Sequence, residues 1–161
     1  MDPMESEIFA RMANSMTYFH DHFKSTWQTL YTACENNRRP ANMSIKQFFG
    51  MTSTFARQLE MHHQIEEFHI FPTLAQKMPA FARENDMLEH HKKIHQGLEE
   101  LNEYTTSCQN GQQELRLTEM KVILDKFGDV LLQHLDEEVE NLSAENMKRY
   151  WSIEEMRRMP M

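Results

Sequence analysis

Leu59-Glu60-Met61-His62-His63-Gln64-Ile65-Glu66 decides how this chain folds, because it carries a hydrophobic stripe straight into metal-capable side chains. Upstream, Phe48, Phe55 and Leu59 recur at the three- and four-residue spacing of one helical face. His62 and Glu66 continue that spacing, so an imidazole and a carboxylate occupy seats the pattern assigns to the core. Ser44, with Gln47 three residues on, forms a capping box that starts this helix. Pro72 should kink the helix or end it soon after, and Pro79 marks a boundary.

The same conflict between phase and polarity recurs elsewhere. A helix over about Met4 to Asn36 has the apolar positions Ile8, Met12, Phe19, Phe23, Thr26, Leu30 and Ala33, and His22 shares the face of Phe19 and Thr26. A third, over about Arg83 to Cys108, points Met87, His91, Ile94 or His95, Leu98 and Leu101 inward, and Asn110-Gly111 stops it. A fourth, over about Glu114 to Leu142, aligns Leu124, Phe127, Leu131, His134, Glu138 and Leu142. Ser143 to Tyr150 and the capping box of Ser152-Ile153-Glu154-Glu155 make two short helical pieces. The expected fold is all-α: an up-down-up-down four-helix bundle with a short C-terminal helical extension. It forms one domain over 1–161, with a core at about 4–142 and the extension at 143–161.

Composition agrees. Among 161 residues there are only four glycines and five prolines, too few for a turn-rich β protein. A net charge of −8 argues against nucleic acid, whose phosphates repel it. No uncharged apolar run approaches the roughly 20 residues of a membrane span, and no basic amphipathic stretch suggests a membrane surface. The acidic start, Met1-Asp2-Pro3-Met4-Glu5, does not read as a targeting peptide. Cys34 and Cys108 fall in no CxxC arrangement and read as reduced thiols of a cytoplasmic protein. The fourteen methionines read as flexible core filler rather than a soft-metal site.

A buried unpaired carboxylate costs several kcal/mol, and metal coordination turns that cost into binding energy. The expected ligands are His22, His62, Glu66, His91, His95, His134 and Glu138. Imidazoles and carboxylates without thiolate suit iron, manganese or zinc. If each carboxylate bridges, roughly nine of twelve octahedral positions on an ion pair are filled. A bridging oxygen fills about two more, leaving room for one small ligand such as O2. His63 and His90 sit about 100° from their neighbours and read as surface residues. His20, nearly opposite His22, reads the same way, and Asp21 is either exposed or a hydrogen-bonding support. The zincin pattern HExxH is absent, and the Glu-x-x-His of ferritin-like proteins occurs once, at Glu66-Glu67-Phe68-His69, which keeps His69 a candidate beside the site.

Together these motifs resemble the hemerythrin-like HHE domain: Asp21-His22, then His62 to Glu67 running into Ile70-Phe71-Pro72, then His91-Lys92-Lys93-Ile94-His95, then His134-Leu135-Asp136-Glu137-Glu138. The match covers about residues 10 to 145. It implies a helical bundle with a non-haem di-iron centre and a bridging oxo or hydroxo group. His22, His62, His91, His95 and His134 would be terminal ligands, and Glu66 and Glu138 bridges. In the oxygen carriers the last carboxylate is an Asp five residues after the His. Here Glu138 follows His134 by four, a spacing that looks like the iron-sensing F-box protein's domain. The resemblance implies binding of iron and O2 for storage, sensing or buffering. The alternative is a di-iron oxidase, peroxidase or oxygenase acting on a small organic substrate, with Tyr18, Trp27 and Tyr31 as wall candidates.

Overall fold

The computed structural model describes residues 2–82 and 85–161, all helical or in connecting turns. Helix α1 spans Pro3–Glu35; the Asp2 side chain accepts from the Glu5 amide at 2.9 Å, and Pro3 opens the helix where its missing N–H costs nothing. Helix α2 spans Ile45–Ile65, and both bonds of the Ser44–Gln47 capping box are made. It runs into one π-helical turn, Glu66–Ile70, and then into α3, Phe71–Leu74. Pro72 cannot donate a backbone bond to the preceding turn, and the widened turn lies immediately before it.

After a 3₁₀ turn at Pro79–Phe81, α4 spans Asp86–Gln109 and α5 Leu117–Asn141. The expected start of the third helix at Arg83 lies outside the described residues. Gly111, with φ 74°, takes the left-handed turn after α4. Two short helices follow, α6 over Ala144–Tyr150 and α7 over Ile153–Arg157, and both lie against α1. The Ser152–Glu155 box starts α7. Among the described residues no helix is long and apolar enough to cross a membrane.

The long helices touch in a ring: α1 against α2 and α5, and α4 against α2 and α5. Two glycines permit close approach. A Cβ on Gly97 would lie 2.2 Å from Phe127 Cδ1, and one on Gly128 would lie 2.7 Å from Trp27.

Among the described residues the interior forms two hydrophobic clusters. The first gathers Phe23, Trp27, Phe55, Leu59, Ile94 and Leu131 among others. The second gathers Met12, Met16, Ile70, Phe71, Met87 and Leu142, together with Trp151 and Met156 from the C-terminal helices. Met12, Met16, Met78, Met87, Met147, Met156 and Met159 all pack in this second cluster, where flexible side chains fill an irregular space.

Along each of the four long helices and the residues that continue α2 and α5, the chain crosses from one cluster to the other, and polar residues lie at each crossing. His20 lies between Met16 and Phe23; His62, His63 and Glu66 lie between Leu59 and Ile70. His91 lies between Met87 and Ile94, and His134 and Glu138 between Leu131 and Leu142. The candidate site is therefore a polar layer sealed above and below by apolar side chains.

Candidate metal centre

Two groups of donor atoms meet in this layer. His20, His62, Glu66 and Glu138 form one, and His63, Glu66, His91 and His134 the other; within each, one donor atom per residue lies within 4.8 Å of the rest. Glu66 belongs to both. Its Oε2 is 3.3 Å from His62 Nε2, while its Oε1 is 3.4 Å from His91 Nε2. Glu138 divides itself the same way, with Oε1 3.3 Å from His20 Nε2 and Oε2 3.0 Å from His134 Nε2. The His91 and His134 Nε2 atoms are 3.1 Å apart.

These spacings are what shared metal coordination requires. Donors about 2.1 Å from one ion lie about 3.0 Å apart at a right angle and about 3.4 Å apart at the tetrahedral angle. The approaches are also poorly aligned for hydrogen bonding. Both oxygens of Glu66 and of Glu138, and the Nε2 atoms of His20, His62 and His63, are buried without a hydrogen-bond partner. Native interiors rarely tolerate so many orphaned polar atoms in one place. The donor set thus fits metal cations by distance and by chemistry.

Hydrogen bonds outside the cluster set the tautomers. His20 Nδ1 donates to the Leu135 carbonyl at 2.9 Å, so its Nε2 presents a bare lone pair to the centre. His91 Nδ1 donates to Glu67 Oε1 at 2.9 Å, with the same effect. The His63 and His91 rings stack with centroids 3.9 Å apart, and Phe71 covers the His91 ring at 5.2 Å. His134 Nδ1 is buried without a partner.

Electrostatics keeps the imidazoles ready to bind. Burial, reinforced by the neighbouring imidazoles, lowers His62 to about 4 and His91 to about 3. Burial and the His91 and His134 rings push His63 well below its ordinary value. Burial, then the Glu138 charge, raises the Glu66 carboxyl well above the carboxylate range. Burial also opposes ionisation of Glu138, but the adjoining Glu66 carboxyl with the His134 and His20 imidazoles outweighs it and holds Glu138 well below. Without a cation, the two adjoining carboxyls resist ionising together, Glu66 the more strongly.

Comparison with known proteins gives the family. The hemerythrin HHE cation-binding domain matches residues 11–144, most of the chain. The chain belongs to the hemerythrin HHE family. A curated relative, dimeric xanthone biosynthesis cluster protein R11 of Cryptosporiopsis sp. (strain 8999), is 27% identical over an alignment of 149 residues that covers 88% of this chain and 55% of that protein. The chain spans about half that relative's length. No solved structure matches.

Of the seven expected ligands in this HHE domain, the structure brings together His62, Glu66, His91, His134 and Glu138, and leaves out His22 and His95. On α1 the structure brings His20 rather than His22 to the layer, a difference of helical phase. The helix's buried face runs Met12, Met16, His20, Phe23, Trp27 and Leu30, whereas Phe19 is exposed and Thr26 only half-buried. Anchoring the stripe on Phe19 and Thr26 turned it toward His22, which is exposed; anchoring it on Met16 and Trp27 selects His20.

On α4, Ile94 takes the interior seat. His95 falls beside α2, half exposed at 50%, with Nδ1 2.6 Å from Glu60 Oε1. The position it leaves is filled by His63, one turn after Leu59. A core-facing arc about 100° wide accommodates both His62 and His63. The run Thr52, Phe55, Ala56, Leu59 was the signal for that width. Among the other candidates, His69 and Asp21 are exposed, and His90 is half-buried with its ring 5.6 Å from that of His134. Glu67 supports His91 from outside the cluster.

Proposed function

We propose that this HHE domain holds two iron ions between its four long helices and takes up O2 there, for storage, sensing or buffering. The observation that carries the proposal is the division of both carboxylates: Glu66 and Glu138 each turn one oxygen toward each histidine group. His20 and His62 would complete one ion's protein ligands, and His63, His91 and His134 the other's. Manganese or zinc would suit the same donors. The alternating order in which α1, α2, α4 and α5 cross the two clusters supports an up-down-up-down arrangement within one domain. The free, buried Cys34 and Cys108 support a reducing compartment such as the cytoplasm.

A pair of iron ions so held supplies two adjacent redox centres for a small oxidant. The chain's own residues do the rest. Leu135 and Glu67 orient His20 and His91 through their Nδ1 atoms, and the apolar clusters close the layer above and below. A cation held here would compete with protons for the imidazoles and the carboxyl pair, so uptake should weaken in acid.

A second reading is an oxidoreductase acting on a small organic molecule, favoured by a cleft that reaches His62 and Glu66 and by the biosynthetic name of the relative. The iron(II)-loaded protein, exposed to O2 and then returned to nitrogen, separates the two. The binding reading predicts a visible charge-transfer band that reverses. A band that never forms, with continuous O2 consumption once an organic reductant is added, contradicts it and supports the enzyme.

A further inference from the structure

Of the seven clustered side chains, His62 is the one that reaches beyond burial, 11% exposed, and the surface above it is not ordinary. A half-open cleft of about 890 Å³ lies over it, with Glu66 behind. That volume far exceeds a diatomic molecule's need and falls within the roughly 300–1,000 Å³ of small-molecule pockets. Its walls are apolar. Tyr18, Phe19 and Phe23 form one side and Met61, Ile65 and Ile70 the other. Tyr18 is 76% and Phe19 43% exposed, and Met61 and Ile65 are exposed as well, so large apolar side chains face water together here.

The inner end is aromatic too. The His62 ring lies 5.6 Å from Phe19 and 5.3 Å from Phe23, both tilted or edge-on. Tyr18 meets Phe19 edge to face at 5.6 Å. Flat rings on one wall, branched and thioether chains on the other, and an imidazole at the end make a slot suited to a planar occupant. Besides His62 and Glu66 at the inner end and the Tyr18 hydroxyl, the lining carries the polar groups of Asp21, His22, Ser25 and Gln58, which suit hydroxyl or carbonyl substituents.

We propose that this cleft binds a flat aromatic small molecule bearing hydroxyl or carbonyl groups, seated against His62 beside the metal pair. The proposal rests on the dinuclear reading above and gives its site an organic ligand class. His22, outside the cluster, then serves on the rim of this cleft as a hydrogen-bonding side chain.

The test uses 1-naphthol as the probe and the full chain loaded with manganese(II) or, as a diamagnetic control, zinc(II). Saturable binding of one naphthol per chain is expected, with its proton relaxation enhanced at least tenfold in the manganese form over the zinc form. Phe19→Ala and Ile65→Lys should each weaken binding at least tenfold and leave the metal content unchanged. Absence of saturable binding, absence of the relaxation enhancement, insensitivity to both variants, or a preference for laurate over naphthol would each overturn the proposal. Metal content is measured on the same samples. Fewer than two ions per chain contradicts the dinuclear reading, whereas two ions without naphthol binding overturns the cleft proposal alone.

Discussion

Replacing His20 with alanine, beside the same replacement at His22, separates the two helical phases available to α1. His20 is fully buried, and its Nδ1–H bond to the Leu135 carbonyl spans 2.9 Å. Removing the ring takes away one of that carbonyl's two bonds, its helical bond within α5 remaining, which costs about 1 kcal/mol. It also opens a cavity the size of an imidazole between Met16 and Phe23, and large-to-small changes in cores cost about 2 kcal/mol or more. Losing a buried polar ring offsets part of this, so a net loss of about 2 kcal/mol is expected in the metal-free protein. At about 2–4 °C per kcal/mol for a chain of this size, Tm falls by about 4–8 °C.

The metal-loaded protein loses more, because the lone pair facing Glu138 Oε1 goes as well. Changes to mere outer partners of metal ligands already weaken binding about 10–100-fold, and loss of a ligand should exceed that. His22 is exposed and outside the cluster, so His22→Ala should stay within about 0.5 kcal/mol. Thermal unfolding with and without chelator, read beside metal content, measures both variants. Metal lost from His22→Ala but retained by His20→Ala would refute the placement of α1.

Three further outcomes are expected. His63→Ala should lower metal stoichiometry or affinity by at least tenfold while His95→Ala leaves it unchanged, read by titration against a chromophoric chelator; the reverse order would contradict the stacked His63–His91 geometry. Gly97→Ala gains about 1 kcal/mol of helix propensity but drives a methyl to 2.2 Å from Phe127 Cδ1 and 2.8 Å from its Cβ, so it should cost about 1–2 kcal/mol net in urea unfolding. A variant as stable as the parent would show that α4 and α5 are not so closely packed. In the metal-free protein, His62 and His91 titrate near 4 and 3 instead of 6.5, and His63 also lies well below. Groups lowered by folding take protons more readily when unfolded, so their stabilisation is complete above about pH 6.5 and drains as pH falls toward 4. Glu66, raised by folding, works in the opposite sense, but three imidazoles oppose one carboxyl. Stability by urea unfolding should therefore be lower at pH 5 than at pH 7, and a flat profile would contradict the buried, neutral imidazoles.

Much of this arrangement was legible in the sequence, for identifiable reasons. Helix ends announced themselves through local chemistry: the Ser44–Gln47 and Ser152–Glu155 boxes, and Asn110-Gly111 after α4. His91, His134, Glu66 and Glu138 stood at core positions flanked by unambiguous apolar residues. What misled was amphiphilic ambiguity. Phe19 looks like a core residue but lines an open cleft, and its neighbour His22 was carried with it. His63 sits about 100° from His62 and so reads as a surface residue, because sequence spacing gives a direction and not the width of the arc that the packed helices enclose. The π-helical turn at Glu66–Ile70 has a sequence cause in Pro72, yet whether a proline ends, kinks or widens a helix depends on what the helix packs against.

The most direct test of the central claim is to locate the ions. Crystals of the iron- or zinc-loaded protein, measured at the metal's absorption edge, should show two anomalous peaks per chain. One should lie among His20, His62, Glu66 and Glu138, and the other among His63, His91, His134 and the same two glutamates. A single peak, or peaks bound by His22 or His95, would contradict the account.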